Sequence, residues 1–260
     1  MNQENKKNLP KSSNPGFRER LTSYLTQHHH IARAMFIASA LVFFLALLPA
    51  SIRNALLRGL KDHPYLSGML FFFSLLSLSL LWSAGQRIDA WIFFYFNIRG
   101  KRPQWLDGIM LGFTQIGSGL FGMVVALISF FIDNHRLAYE LILGTLTLWL
   151  VVELVKAIVH RSRPFIKLTE TRIVGPPPKG LSFPSGHTSQ VFFMMTLIIQ
   201  HFHVSFWAEV LVLYALAVMV AVTRMYLGAH YPRDVMAGAM MGGIWGILGI
   251  IVDSHFPGGS

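Results

Sequence analysis

The chain has no cysteine among its 260 residues, and only 13% of them carry a formal charge. The first absence excludes disulfides, thiolate nucleophiles and cysteine-ligated metals. The second sets the chain apart from soluble domains, in which roughly a quarter of the residues are charged. With 53% hydrophobic residues, this charge deficit indicates a membrane protein. Period-two alternation is also missing, which leaves helices as the spanning elements, and there is no repeat of solenoid length. No basic stripe with interleaved aromatics occurs, so the net charge of +10 does not indicate nucleic acid as a partner. The basic residues gather instead in loops between apolar runs, where lipid headgroups or an anionic substrate would meet them.

What the sequence does contain is seven apolar segments, at about 31–50, 65–83, 109–132, 137–158, 186–204, 205–223 and 235–252. Crossing about 30 Å of hydrocarbon takes roughly 20 helical residues. The expected fold is all-α: a polytopic membrane helical bundle with six core transmembrane helices plus one extra N-terminal apolar segment. Residues 1–30 read as a basic disordered or interfacial tail, 31–64 as the extra segment and an interfacial turn, 65–252 as the membrane domain, and 253–260 as a short tail. Segment 31–50, with Arg33 near its start and Pro49 at its end, fits a span, an uncleaved signal anchor or a signal peptide. His28, His29 and His30 fit an interfacial position better than a metal tract. Residues 52–60 suggest an amphipathic turn or two, and 84–108 a helix lying on the bilayer surface. Pro176, Pro177 and Pro178 keep the polar loop 159–185 from being helical.

The polar chemistry is concentrated in three stretches at the edges of apolar runs. In Pro184-Ser185-Gly186-His187, Ser185 precedes an apolar run and is a preferred N-cap. A helix N-terminus offers unpaired N–H groups and partial positive charge to an anion, and Gly186 allows close backbone approach. An ordinary helix cap is the alternative. In the stretch Lys156 to Pro164, Lys156 closes an apolar segment, while Pro164 disfavours helix at Arg163, so the chain should leave the helix between them. Snorkelling accounts for one cation but poorly for Lys156, Arg161 and Arg163 together. In Thr223 to Asp234, Arg224 ends an apolar segment and Pro232 is placed to open the next helix. His230 would stand just before that helix, with Asp234 in its first turn, within reach of the imidazole. Such a histidine can act as a nucleophile toward phosphorus; a structural hydrogen bond is the alternative.

At these residues the sequence resembles the type 2 phosphatidic acid phosphatase superfamily. The family pattern runs Lys, six residues, Arg-Pro; then Pro-Ser-Gly-His; then Ser-Arg, five residues, His, three residues, Asp. All three blocks are present in order, with Thr223 where the family usually has Ser; the hydroxyl is kept. The resemblance covers about residues 65–252 and implies a membrane phosphatase domain there. It implies that Lys156, Arg163 and Arg224 hold the phosphoryl oxygens and that Ser185 and the Gly186 backbone complete the cradle. It further implies that His230 attacks phosphorus to form a phosphohistidine, that Asp234 orients it, and that His187 protonates the leaving oxygen and then activates water. Neither metal nor cofactor is implied. The family's soluble vanadium haloperoxidases share the pocket, but the apolar spans argue against that branch.

The implied substrate is a lipid phosphate or diphosphate whose tails stay in the membrane: undecaprenyl diphosphate, phosphatidylglycerophosphate, phosphatidic acid or a lipid A phosphate. A phosphotransferase using the same intermediate, or a non-catalytic lipid-phosphate carrier, are the alternatives. The runs at 115–118 and 230–234 resemble bacterial members, which implies a bacterial inner or plasma membrane with the site on the extracytoplasmic face. Charge counting opposes that face. If all seven segments span, most Lys and Arg fall on the side of the site, which the positive-inside rule would place in the cytoplasm. If 31–50 does not span, the two sides become nearly even.

Overall fold

A computed structural model describes residues 35–253, apart from positions 37, 38, 41, 45, 98–102 and 205. The tail 1–30, Arg33 and the charged positions Arg99, Lys101 and Arg102 lie outside the described residues, as does 254–260. Among the described residues the regular secondary structure is all helix, as expected. After a helical stretch that Leu48 and Pro49 interrupt come α1 (Ala50–Asp62), α2 (Pro64–Ser79), α3 (Ser83–Asn97), α4 (Gln104–Gln115) and α5 (Gly119–Phe131). Then follow α6 (His135–Val159), the short α7 (Pro164–Lys167), α8 (Gly186–His201), α9 (Trp207–Tyr226) and α10 (Pro232–Asp253).

The helix boundaries follow local chemistry. Pro64 opens α2, where its missing N–H costs nothing. Asn134 caps α6 by accepting from the Leu137 N–H at 3.1 Å, and Ser118 caps α5 in the same way at Phe121. Two expected elements differ. The segment 109–132 is not one span: it breaks at Ile116–Ser118, and α4 and α5 meet at 56°. The break brings Gly117 so near the start of α8 that a Cβ there would lie 2.5 Å from the His187 carbonyl oxygen. The interfacial turn at 52–60 is a 13-residue helix, α1, with Ile52 buried and Gly59 against Ile251 of α10. The surface helix expected within 84–108 corresponds to α3, which turns 97° away from α2.

Among the described residues three helices are long and apolar enough to cross a membrane unaided: α6 with its extension to Lys167, α9, and α10; the two bent pairs bring the number to five. At about 1.5 Å per residue, the 25 residues of α6 extend roughly 37 Å. The 16-residue α8 is shorter and lies in the centre. Its Val191, Phe193, Met194 and Leu197 pack with Leu137, Leu141, Leu148 and Val152 of α6, Ala217 and Val220 of α9, and Met241 of α10. The outward surface stays apolar, with Leu120, Phe131, Leu143, Trp149, Leu211 and Val212 exposed, as a lipid-facing bundle requires.

Close contact between α8 and α10 fixes the site. Gly238, Gly242 and Gly246 form a stripe on α10, four residues apart. A Cβ on these three would lie 2.6 Å from the Ser185 carbonyl oxygen, 2.2 Å from that of Ser189 and 2.6 Å from Thr196 Cβ, respectively. Small residues at this spacing let two helices approach backbone to backbone. The chain thereby presses the start of α8 onto the start of α10.

Candidate active site

The three motif stretches converge at one end of the bundle. His160, in the left-handed region with φ 52°, ends α6 and turns the chain out of the helix, leaving Lys156 in the last turn. Arg163 then takes an extended conformation, held by Pro164 at the first position of α7. At the end of α9 the backbone N–H groups of Ala229 and His230 both donate to the Arg224 carbonyl, at 3.0 and 3.2 Å. This tight turn needs Gly228, which has φ 82° and whose Cβ would lie 2.5 Å from the Arg172 carbonyl oxygen. Pro232 opens α10, as expected, and places Asp234 in its first turn.

His230 is buried, and its Nδ1 lies 2.7 Å from the Ser182 carbonyl oxygen. A carbonyl only accepts, so Nδ1 carries the proton and Nε2 keeps its lone pair. Burial pushes the imidazole pKa down to about 3, with the charges of Arg163 and Arg224 acting in the same direction and Asp234 opposing them. Asp234, fully buried, stands 3.7 Å from Nδ1, too far for a hydrogen bond. Its contact with the ring runs through Ser182, whose hydroxyl donates to Asp234 Oδ2 at 2.5 Å.

Arg163 lies beside the unprotonated imidazole nitrogen: its Nη1 donates to His230 Nε2 at 3.2 Å and to the Ala229 carbonyl at 3.0 Å. Nε and Nη2 of the same guanidinium donate to the carbonyls of Gly180 and Lys179, which ties the polar loop to the turn at 229–230. Arg224 is less committed. Nη1 donates to Thr114 Oγ1 at 2.6 Å, and Nε is buried without a partner among the described residues. The Lys156 ammonium donates to Glu153 Oε1 at 2.9 Å.

Ser185 occupies the N-cap position of α8, but its side chain does not cap the helix; its Oγ accepts from Thr188 Oγ1 at 2.9 Å. Among the described residues the N–H groups of Gly186 and His187 therefore remain open at the positive end of α8. The electrostatic neighbours of His187 are Arg224, His230, Lys156 and Arg163. All eight residues singled out from the sequence thus gather at this one end. Thr223 does not reach it; its hydroxyl donates to the Val220 carbonyl within α9. Fixed cations, open N–H groups and a neutral imidazole with one unprotonated nitrogen can hold a tetrahedral oxyanion and attack it.

Residues 137–255 match the model of the PAP2 superfamily. Over these residues the chain is similar to members of the PAP2 superfamily. It is 28% identical over 154 residues to an undecaprenyl-diphosphatase of Sulfolobus acidocaldarius, covering 58% of this chain and 73% of the relative. It is 26% identical over 153 residues to phosphatidylglycerophosphatase B of Bacillus subtilis, covering 54% and 72%. Its fold is similar to the crystal structure of a transmembrane PAP2 type phosphatidylglycerolphosphate phosphatase from Bacillus subtilis. The TM-score is 0.63 at 23% identity, over 73% of this chain and 96% of that one.

Around this site stand residues that the motifs do not name. Ser182 fixes the tautomer of His230, and no sequence signal marks it. Arg161 is visible in the sequence only as one cation among three; it proves to be bound to Asp234 at 2.6 Å and to Asp89 of α3. Asp89 is 2% exposed within an otherwise apolar-rich helix, and reading 84–108 as a surface helix gave no sign that it would pair with these motifs. Arg233 also binds Asp89, through Nε at 2.7 Å. Glu153, one helical turn before Lys156, adds a carboxylate to the edge of the site.

Proposed function

We propose that this integral membrane protein is a lipid phosphatase that removes a phosphomonoester or diphosphate headgroup through a phosphohistidine on His230, without a metal. Nε2 of His230 forms the N–P bond as the P–O bond to the lipid breaks. His187, taking up a proton as the anionic phosphate offsets the cations around it, gives that proton to the leaving oxygen and then takes one from the water that hydrolyses the intermediate. Lys156, Arg163, Arg224 and the open N–H groups of α8 stabilise the charge on the phosphoryl oxygens, and Ser185 completes their cradle. Asp234 acts on the imidazole through Ser182. The observation that carries this reading is the unprotonated Nε2 of His230, whose lone pair accepts from the Arg163 guanidinium inside a ring of cations.

The substrates suggested by the relatives' names are undecaprenyl diphosphate and phosphatidylglycerophosphate, and phosphatidic acid fits the same cradle. In each, the headgroup enters at the end of the bundle while the tails remain beside the apolar helices. The extracytoplasmic face is supported by α1. Gly59 packs against Ile251 near the far end of α10, so the basic residues Arg53, Arg58 and Lys61 lie at the end opposite His230.

A panel of detergent-solubilised lipid monophosphates and diphosphates, assayed with chelator present and with alcohol acceptors added, tests this reading. Phosphate release from at least one member is expected. No release from any member would remove the assignment, and transfer to the acceptor in preference to water would make the protein a phosphotransferase.

A further inference from the structure

The structure assigns Arg161 and Asp89 as positioning residues for the catalytic carboxylate, so that α3, which lies outside all three motifs, sets the geometry of the nucleophile. This rests on the lipid phosphatase reading above and extends it to residues that never touch the substrate.

Arg161 does not have the surroundings of a phosphate ligand. Its Nη1 donates to Asp234 Oδ1 at 2.6 Å, and its Nη2 donates to Asp89 and to Gln86 Oε1 at 3.1 Å. Its guanidinium carbon lies 4.2 Å from the centre of the Tyr231 ring. Asp89 in turn accepts from Arg233 twice, from Nε at 2.7 Å and from the backbone N–H at 3.2 Å. Arg233 is anchored further by donating to the Ser79 carbonyl at 2.6 Å. Two arginines and two aspartates thus form a buried, charge-balanced group. Breaking such a group by removing one member leaves an uncompensated buried charge. Lysine cannot replace the planar guanidinium that spans two carboxylates.

Asp234 has its lone pairs apportioned by these contacts. Oδ1 goes to Arg161, and Oδ2 accepts from Ser182 Oγ and from the Tyr231 N–H at 2.8 Å. This arrangement leaves Nδ1 of His230 to the Ser182 carbonyl. Arg161 therefore decides where the carboxylate sits, Asp89 decides where Arg161 sits, and Gly85 leaves room for the Arg233 side chain, which would lie 2.8 Å from a Cβ there. A cation serving the phosphate would affect substrate binding. A cation serving Asp234 affects the chemical step.

The test is steady-state kinetics of Arg161→Lys and Asp89→Asn on the best substrate of the panel. Rates are referred to competent sites counted by titration with vanadate, a phosphate-shaped oxyanion. The expected result is kcat lowered about 10- to 100-fold, the scale of a misplaced catalytic group, with KM and vanadate affinity within about threefold of the parent. Asp89→Asn keeps the shape of the side chain and leaves Arg161 in place, so it reads the same relay if Arg161→Lys does not fold. Parental kcat in either folded variant overturns the inference, as does a raised KM with kcat retained, which would make Arg161 a substrate ligand. If the parent releases no phosphate from any substrate, the phosphatase reading fails instead, and the two failures are distinct.

Discussion

Ser182 directs its carbonyl oxygen at Nδ1 of His230 from 2.7 Å, closer than the 3.7 Å that separates the same nitrogen from Asp234. The proton on Nδ1 is therefore held by a backbone group, and the proposed mechanism gives the attack to Nε2. Trapping the intermediate with a slow substrate and assigning the isomer by phosphorus–proton correlation spectroscopy should show phosphate on Nε2. Phosphate on Nδ1 would contradict the geometry.

Burial lowers the His230 pKa from an unfolded value near 6.5 to about 3. The unfolded chain then binds one more proton than the folded one between these values. The contribution of this group to stability is fully present above pH 6.5 and is lost as pH falls toward 3. Thermal unfolding in detergent should show a parent whose melting temperature falls with pH across that window more steeply than that of His230→Gln. In the ligand-free protein, the His230 ring resonances should not titrate between pH 5 and 8.

The Lys156–Glu153 pair occupies the ammonium that the proposed mechanism assigns to the phosphoryl group. Glu153→Gln keeps an acceptor but removes the competing charge. KM should fall about two- to fivefold, which corresponds to the ~0.5–1 kcal/mol of a partly exposed ion pair. A raised KM would mean that Glu153 assists binding rather than competing with it.

Gly242 faces the Ser189 carbonyl so closely that a Cβ would lie 2.2 Å from the oxygen, a backbone atom that cannot rotate away. Gly242→Ala should cost about 1–3 kcal/mol of stability by forcing α8 and α10 apart, read as a lowered midpoint of denaturation. Gly238→Ala should additionally reduce activity, because its clash is with the Ser185 carbonyl at the phosphate cradle.

The absence of cysteine makes topology directly measurable. Pro177→Cys, in the polar loop beside the site, should react with an impermeant maleimide in intact cells. Lys61→Cys, on α1, should react only after lysis. The reverse pattern would place the site in the cytoplasm.

Much of this was legible in the sequence because its signals are local. Composition and the apolar segments led to a helical membrane bundle, and Pro164 and Pro232 marked where Arg163 leaves a helix and where α10 begins. Motif spacing brought Lys156, Arg163, Ser185, His187, Arg224, His230 and Asp234 to one end. The relationships that were not legible depend on tertiary contact. The break between α4 and α5, which seats Gly117 against the start of α8, is nothing a hydropathy window registers. The partner of Asp234 lies 73 positions away in Arg161, and that of Arg161 another 72 away in Asp89. The glycine stripe at 238, 242 and 246 was visible as spacing, but its meaning required α8 to be seen against it.

The central claim, a phosphohistidine on His230, is tested most directly by phosphate release from a detergent-solubilised lipid phosphate in the presence of chelator, comparing the parent with a folded His230→Ala variant. The account predicts turnover by the parent that survives chelation, and in the variant a fall to the uncatalysed background. Undiminished turnover in His230→Ala would contradict it.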